Sequence, residues 1–125
     1  MAKILIVDDE PLLRTMVGDA LEAAGHQVVM ADSGRAALDV AEAERPDCIL
    51  LDINMPGLNG YETCEALKSD PGLASIPVLL VSATTDLRVM DQAEAVGAAG
   101  VLPKPVPAEE LQHAVALALS TPPST

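Results

Sequence analysis

The chain has 125 residues, half of them apolar, which predicts one folded domain with a single core. A formal net charge of −12 disfavours direct binding to nucleic acid or to an anionic membrane. The only two cysteines, Cys48 and Cys64, lie in apolar segments typical of buried free thiols, and they are too few for a disulfide framework. No run has the length of a signal peptide or a membrane span, so we expect a cytoplasmic protein.

Short apolar runs alternate with segments of helical period five times along the chain. Strands are expected, in chain order, over 4–7, 28–30, 48–51, 78–81 and 100–102. The first helix begins at Pro11, ends at Gly25 and is predicted to bury one face, made of Leu13, Met16, Val17, Ala20, Leu21 and Ala24.

The later helices carry their own start and stop signals. Ser33 is expected to cap the second helix, and the third is predicted over about 61–68. The fourth ends near Gly97, and Pro107 opens the fifth, whose inward residues are predicted to be Leu111, Ala114, Val115 and Ala118.

Five βα units with short loops predict an α/β fold, a three-layer sandwich with right-handed crossovers. The flavodoxin-like, doubly wound parallel sheet of five strands in the order 2-1-3-4-5 fits this pattern. We expect the domain to span 1–119. Residues 120–125 are rich in Pro, Ser and Thr and are expected to form a disordered tail or the start of a linker.

Polar side chains follow four of the predicted strands. Asp8 and Asp9 come after the first strand, Asp52 after the third, Ser82 after the fourth and Lys104 after the fifth. Ligands bind beyond the carboxyl ends of such strands, at the switch point between strands 1 and 3. Three crowded carboxylates repel one another unless a cation intervenes, and Mg²⁺ prefers oxygen ligands. The sequence therefore predicts a magnesium site, with a plain solvated acidic cluster as the alternative.

The remaining two groups suit phosphoryl chemistry. An ammonium such as Lys104 can pair with a carboxylate at rest and with a phosphoryl group afterwards. Ser82 adds a hydroxyl, and backbone N–H groups follow it. A cation, an ammonium and a hydroxyl around one carboxylate can stabilise a transferring phosphoryl group.

Four motifs resemble the receiver domains of two-component response regulators, and the resemblance covers about 3–119. The motifs are ILIVDDE at 4–10, LLDINMPGLNG at 50–60, PVLLVSA at 77–83 and LPKP at 102–105. The resemblance implies that Asp52 is the phosphoacceptor. It also implies that Asp9, Asp52 and the backbone carbonyl of Asn54 ligate Mg²⁺, for which Mn²⁺ can substitute, while Asp8 acts mainly through water.

The same resemblance assigns the phosphate contacts and the partners. Ser82, Lys104 and the Ala83 N–H would hold phosphoryl oxygens, and the Lys104–Pro105 bond resembles one that is cis in the family. The donor would be a histidine kinase or a phosphotransfer protein. The target would be another protein, and a phosphorylation-dependent homodimer through the last two helices stays open. Asn54 and Thr84 lie where the family tunes the lifetime of the phosphate.

One position departs from the family pattern. The family commonly has Tyr or Phe three residues before the lysine, whereas this sequence has Val101. A ring-flip readout at that position is excluded. We therefore expect a chain that relays phosphate more than it switches shape.

Two other functions compete with this interpretation. A haloacid-dehalogenase-type phosphatase also uses an aspartate nucleophile after a strand, but it needs an acid where this chain has Asn54. An adaptor or dimerisation module with vestigial phosphorylation is the second alternative.

Overall fold

The computed structural model describes residues 2–83, 86–104 and 106–120. Strands and helices alternate in this part of the chain, in the order β1 (Lys3–Val7), α1 (Pro11–Ala23), β2 (Gln27–Ala31), α2 (Gly34–Glu44), β3 (Cys48–Asp52), α3 (Gly60–Ser69), β4 (Val78–Ser82), α4 (Leu87–Ala95), β5 (Gly100–Pro103) and α5 (Ala108–Ser120).

The five strands form one parallel sheet in the order β2-β1-β3-β4-β5, which confirms the predicted topology. The strand register aligns the carboxyl ends: Val7 lies opposite Leu51, and Ser82 lies opposite Pro103. The polar residues that follow the strands are therefore brought to one edge of the sheet.

Two aliphatic clusters sandwich the sheet. One face of β1 and β3 carries Ile4, Ile6 and Leu50, which pack with α1 and α5 through residues such as Leu21 and Val115. The other face packs against α2, α3 and α4 and contributes Leu5, Val7, Ile49, Leu51 and Leu80. Successive side chains of a strand point to opposite faces of the sheet. This alternation decides to which face each polar side chain at a strand end points.

The alternation places the two buried aspartates on the same face. Asp52 continues the row of Leu50, and Asp8 continues the row of Ile6, on the side of α1 and α5. Ser82 continues the row of Leu80, on the side of α3 and α4. The hydroxyl and the two carboxylates thus approach the edge of the sheet from different faces.

Helix starts follow the predicted signals. Pro11 is the first residue of α1, and the Ser33 side chain accepts a hydrogen bond from the Ala36 backbone N–H. Asn59 and Glu62 form a reciprocal capping box at α3, which fixes how the loop after β3 enters that helix.

The predicted buried face of α1 is wrong at two positions. Leu21 is buried and Val17 is half-buried, but Met16 and Ala24 are exposed. Met16 lines an open recess between α1 and α5, so the two helices do not cover it. In α5, the predicted inward face holds, with Ala114 half-buried and its three apolar companions buried.

Both cysteines are buried and free, as expected. Burial raises the pKa of Cys48 to about 12 and that of Cys64 to about 11. Because the thiolate is the reactive form, neither side chain is a nucleophile at neutral pH.

We predict that Gly60→Ala destabilises the protein by about 2 kcal/mol, because an added methyl group would overpack the start of α3. A Cβ atom there would lie 2.6 Å from the Asp52 carbonyl oxygen and from the Ile53 Cα, both backbone atoms that cannot move aside alone. Urea unfolding measures the change. Gly100→Ala is the control, since its Cβ would meet only the flexible Leu79 side chain at 3.4 Å. Equal stabilities of the two variants would contradict the prediction.

Candidate functional site

Asp52 and Lys104 form the central ion pair of the site. Asp52 ends β3, is 2% exposed, and its Oδ1 lies 2.9 Å from Lys104 Nζ. The same oxygen accepts a hydrogen bond from the Asn54 backbone N–H at 3.2 Å. The Lys104 N–H donates to the Ser82 carbonyl at 2.8 Å, which holds the lysine beside the end of β4. The predicted lysine and the predicted acceptor are therefore in direct contact.

The ion pair also governs the charge of Lys104. Burial alone would lower the pKa of this ammonium, but the hydrogen bond to Asp52 and the charges of Asp52, Asp8 and Glu10 raise its pKa above the usual value. Lys104 is consequently a stable cation in the site.

Asp8 is the second buried carboxylate. Its Oδ1 accepts a hydrogen bond from the Glu10 backbone N–H at 2.9 Å, and its Oδ2 lies 3.8 Å from Lys104 Nζ. Burial raises the pKa of Asp8, and the charges of Asp52 and Asp9 raise it further, while the Glu10 N–H and Lys104 oppose the shift. One ammonium therefore serves two carboxylates, and the site keeps an excess of negative charge.

A carboxylate cluster opens from Asp8 toward solvent. Oxygen atoms of Asp8, Asp9 and Glu10 all lie within 4.8 Å of one another. An oxygen donor set of this kind suits Mg²⁺. Glu10 was not among the predicted site residues, although the run of three acids in the first motif was a signal for it. Among the described residues, this cluster does not include the predicted ligand Asp52, although Lys104 contacts both Asp52 and Asp8.

The remaining predicted residues lie around this centre. Ser82 is 2% exposed at the end of β4, Ala83 follows it at the surface, and Asn54 is exposed beyond Asp52. Predictions that concern Thr84 and the Lys104–Pro105 bond fall on residues outside the described part of the chain.

Two further features were missed by sequence reasoning. Arg14 Nη1 donates a hydrogen bond of 2.6 Å to the Asp8 carbonyl, a contact that sequence spacing alone does not reveal. An apolar recess of about 390 Å³ lies between α1 and α5, and Asp8, Asp52 and Lys104 form its polar end. The ion pair thus lies at one end of an open recess whose other walls are aliphatic.

The fold and the buried acid–lysine pair define a phosphoacceptor signalling domain, and comparison with known proteins identifies the family. Residues 4–116 match the response regulator receiver domain family, so the chain belongs to that family. Members of this family bind Mg²⁺ through acidic residues and interact with histidine kinases or phosphotransfer proteins. Function as a phosphoacceptor response regulator receiver is thereby established, and the adaptor alternative is not favoured.

Particular relatives include short and long proteins. Protein PilH of Pseudomonas aeruginosa is 40% identical over 111 residues, which cover 89% of this chain and 92% of PilH. Sporulation initiation phosphotransferase F of Bacillus subtilis is 34% identical over 113 residues, which cover 90% of each protein. The structure of chemotaxis protein CheY4 of Vibrio cholerae superimposes with a TM-score of 0.92 at 37% identity, covering 95% of this chain and 99% of CheY4. The chain spans less than half the length of several other curated relatives that it matches.

Among the described residues, no helix has both the length and the apolar character needed to cross a membrane.

We predict that Asp8→Asn stabilises the protein at neutral pH by on the order of 1 kcal/mol in the absence of divalent cations, the size usual for a partly screened charge. Because folding raises the pKa of Asp8, its ionisation destabilises the fold. The loss of folding stability begins as the pH rises through 3.8, the ordinary pKa of an aspartate, and is complete above the raised pKa of Asp8. Asparagine keeps the oxygen that accepts from Glu10 N–H. Chemical unfolding across pH measures the gain, which should vanish in acid.

The control for this experiment is Asp19→Asn, which changes an exposed aspartate of α1 by the same charge. Equal gains in both variants at neutral pH would mean that relief of the overall net charge, rather than the environment of Asp8, is responsible.

Proposed function

We propose that Asp52 accepts the phosphoryl group in this receiver. The observation that carries the proposal is the buried Asp52 carboxylate, held by Lys104 at 2.9 Å beside the carboxylate cluster. Oδ1 takes the hydrogen bonds from Lys104 and from the Asn54 backbone, so we assign Oδ2 as the attacking oxygen. Burial and fixed contacts hold the nucleophile in one orientation, which is how an enzyme-like site lowers the barrier to displacement.

The metal would be held by Asp9, Asp52 and the backbone carbonyl of Asn54, with Asp8 acting mainly through water. When bound, Mg²⁺ or Mn²⁺ supplies positive charge that offsets these carboxylates and the phosphoryl oxygens. The nearby carboxylate of Glu10 adds a further oxygen at the open side of the cluster.

The phosphoryl donor would be a phosphohistidine. A new P–O bond forms to Asp52 Oδ2 while the P–N bond to the imidazole breaks, and the imidazole leaves with the electron pair and is protonated from solvent. Lys104 then moves from Asp52 Oδ1 to a phosphoryl oxygen. Ser82 and the Ala83 N–H donate to the remaining oxygens, and so the group is contacted from both faces of the sheet.

Dephosphorylation would take place at the same site. The aspartyl phosphate is an acyl phosphate, so water held near Asn54 would attack phosphorus, the P–O bond to Asp52 Oδ2 would break, and inorganic phosphate would leave as the Asp52 carboxylate is restored. The domain would thus promote its own phosphorylation and dephosphorylation, and Asn54 is the exposed residue closest in sequence to the acceptor that can orient that water.

The output is proposed to be phosphate relay through protein contacts in the cytoplasm. Val101 is half-buried and packs against the core where much of the family has an aromatic ring, so no ring is present to turn inward. The relative from Bacillus subtilis with matching length is named a phosphotransferase. The partners would be a histidine kinase or phosphotransfer protein and a downstream protein, and the receiver unit would span 1–119.

The assignment of Asp52 predicts Mg²⁺-dependent labelling by acetyl phosphate. Intact mass should increase by one phosphoryl group, and the label should be lost with a chelator or with Asp52→Asn. Asp86→Asn, at the exposed N-cap of α4, is the matched control and should label like the unaltered protein. If Asp52→Asn were still labelled, the phosphoacceptor would be another residue and the assignment of Asp52 would be wrong.

The relay proposal predicts small structural changes on activation. Amide chemical shifts measured with and without a beryllofluoride phosphoryl mimic should change strongly next to Asp52, Ser82 and Lys104 and weakly along α4 and α5. Large shift changes across both helices would show that the domain signals by changing shape, and the relay proposal would then be wrong.

A further inference from the structure

We propose that Arg14 is a positioning residue that orients Asp9 for metal binding. This inference rests on the proposed function, in which Asp9 holds Mg²⁺. In this role the guanidinium contacts the backbone carbonyl of Asp8 and not a side-chain carboxylate. It therefore acts on the peptide unit between Asp8 and Asp9.

Arg14 joins α1 to the loop that carries the acids. Its Nη1 donates to the Asp8 carbonyl at 2.6 Å, while its backbone N–H makes the ordinary first-turn helix bond to the Glu10 carbonyl at 3.1 Å. A hydrogen bond from a charged donor is stronger than a neutral one. Arg14 therefore links the first full turn of α1 to both ends of the three-residue acidic run.

The contact to the Asp8 carbonyl determines more than the position of Asp8. The Asp8 carbonyl and the Asp9 N–H belong to one planar peptide unit. Fixing the oxygen of that unit fixes the plane in which the Asp9 nitrogen lies. The direction of the Asp9 Cα–Cβ bond, and hence of its exposed carboxylate, then depends on Arg14.

The other contacts of the loop do not fix the orientation of the Asp8–Asp9 peptide plane. The Asp8 N–H donates to the Ala31 carbonyl at 3.2 Å, and Asp8 Oδ1 accepts from the Glu10 N–H. Glu10 is extended, with φ −94° and ψ 114°, as expected for a residue that precedes a proline. Both neighbours of Asp9 are thus anchored, and the Arg14 hydrogen bond sets the peptide between the first anchor and Asp9.

Charge and geometry make opposite predictions for Arg14. As a mere cation close to the acidic loop, Arg14 would repel Mg²⁺, so its removal would tighten metal binding. As a positioning residue, its removal would free the peptide and weaken metal binding. Groups that orient metal ligands typically change affinity by about 10-fold or more when removed.

The experiment compares the Mg²⁺ affinity of the unphosphorylated protein and its variants by amide chemical-shift titration. We expect Arg14→Ala to bind Mg²⁺ about 10-fold more weakly, because an orienting partner of a ligand is lost. Arg14→Lys keeps the positive charge and a donor that can reach the Asp8 carbonyl. Its Mg²⁺ affinity should therefore lie between that of the unaltered protein and that of Arg14→Ala. Arg35→Ala removes an equal charge from the exposed face of α2 and is the control, with unchanged or slightly tighter binding.

Two outcomes would overturn the inference. Tighter binding by Arg14→Ala would identify Arg14 as a repelling charge, and equal affinity would mean that the loop does not need it. If the unaltered protein bound no Mg²⁺ at all, the proposed metal function itself would fail, which is a distinguishable result.

A measurement on the unaltered protein protects the test against misfolding of a variant. The Arg14 guanidinium should give a slowly exchanging N–H signal with a scalar coupling across the hydrogen bond to the Asp8 carbonyl carbon. Rapid exchange without that coupling would show that the contact is not held in solution, and the inference would be wrong.

Discussion

The ion pair between Lys104 and Asp52 is the contact on which the site depends. Since β4 lies between β3 and β5, this pair reaches across the middle strand and ties the ends of three strands together. A carboxylate that is 2% exposed needs a partner, because an unpaired buried charge is strongly destabilising. The same ammonium also approaches Asp8, so a single cation is shared by two acids and the pocket stays negative.

The parallel sheet brings residues that are distant in sequence to one pocket, which they enter from both faces of the sheet. Register brings the ends of the strands together, while alternation sends Asp8 and Asp52 toward α1 and α5 and sends Ser82 toward α3 and α4. A phosphoryl group on Asp52 would therefore meet donors from both faces. The core beneath the site is mainly aliphatic, and so the buried polar groups find their hydrogen-bond partners in one another and in the backbone.

The buried acidic site lowers the stability of the fold. Burial raises the pKa of Asp8, which means that ionisation of this carboxylate destabilises the folded state. The loop after β3 is equally constrained, since Gly60 approaches the backbone of Asp52 too closely for any side chain. Val101 stands where much of the family has an aromatic ring, and under the proposed relay function the phosphate contacts themselves would be the responsive part.

The sequence by itself determined the sheet order, the helix starts at Pro11 and Ser33 and the identity of the residues at the strand ends. These are local signals: apolar runs, capping residues and the alternation of strand and helix each act over a few neighbours. Predicted strand bounds differ from the observed ones by a residue at most at either end, because the apolar runs form most of each strand and polar residues such as Asp52 and Ser82 extend it by one position.

Only the tertiary structure decided how the side chains meet. Lys104 pairs with Asp52 at 2.9 Å and with Asp8 at 3.8 Å, Glu10 joins the acidic cluster, and Arg14 reaches back to the Asp8 carbonyl. Met16 is exposed because α1 and α5 stand apart there. These outcomes depend on how separate helices pack against the sheet and on side-chain rotamers, which are set by contacts between residues distant in sequence rather than by any local pattern.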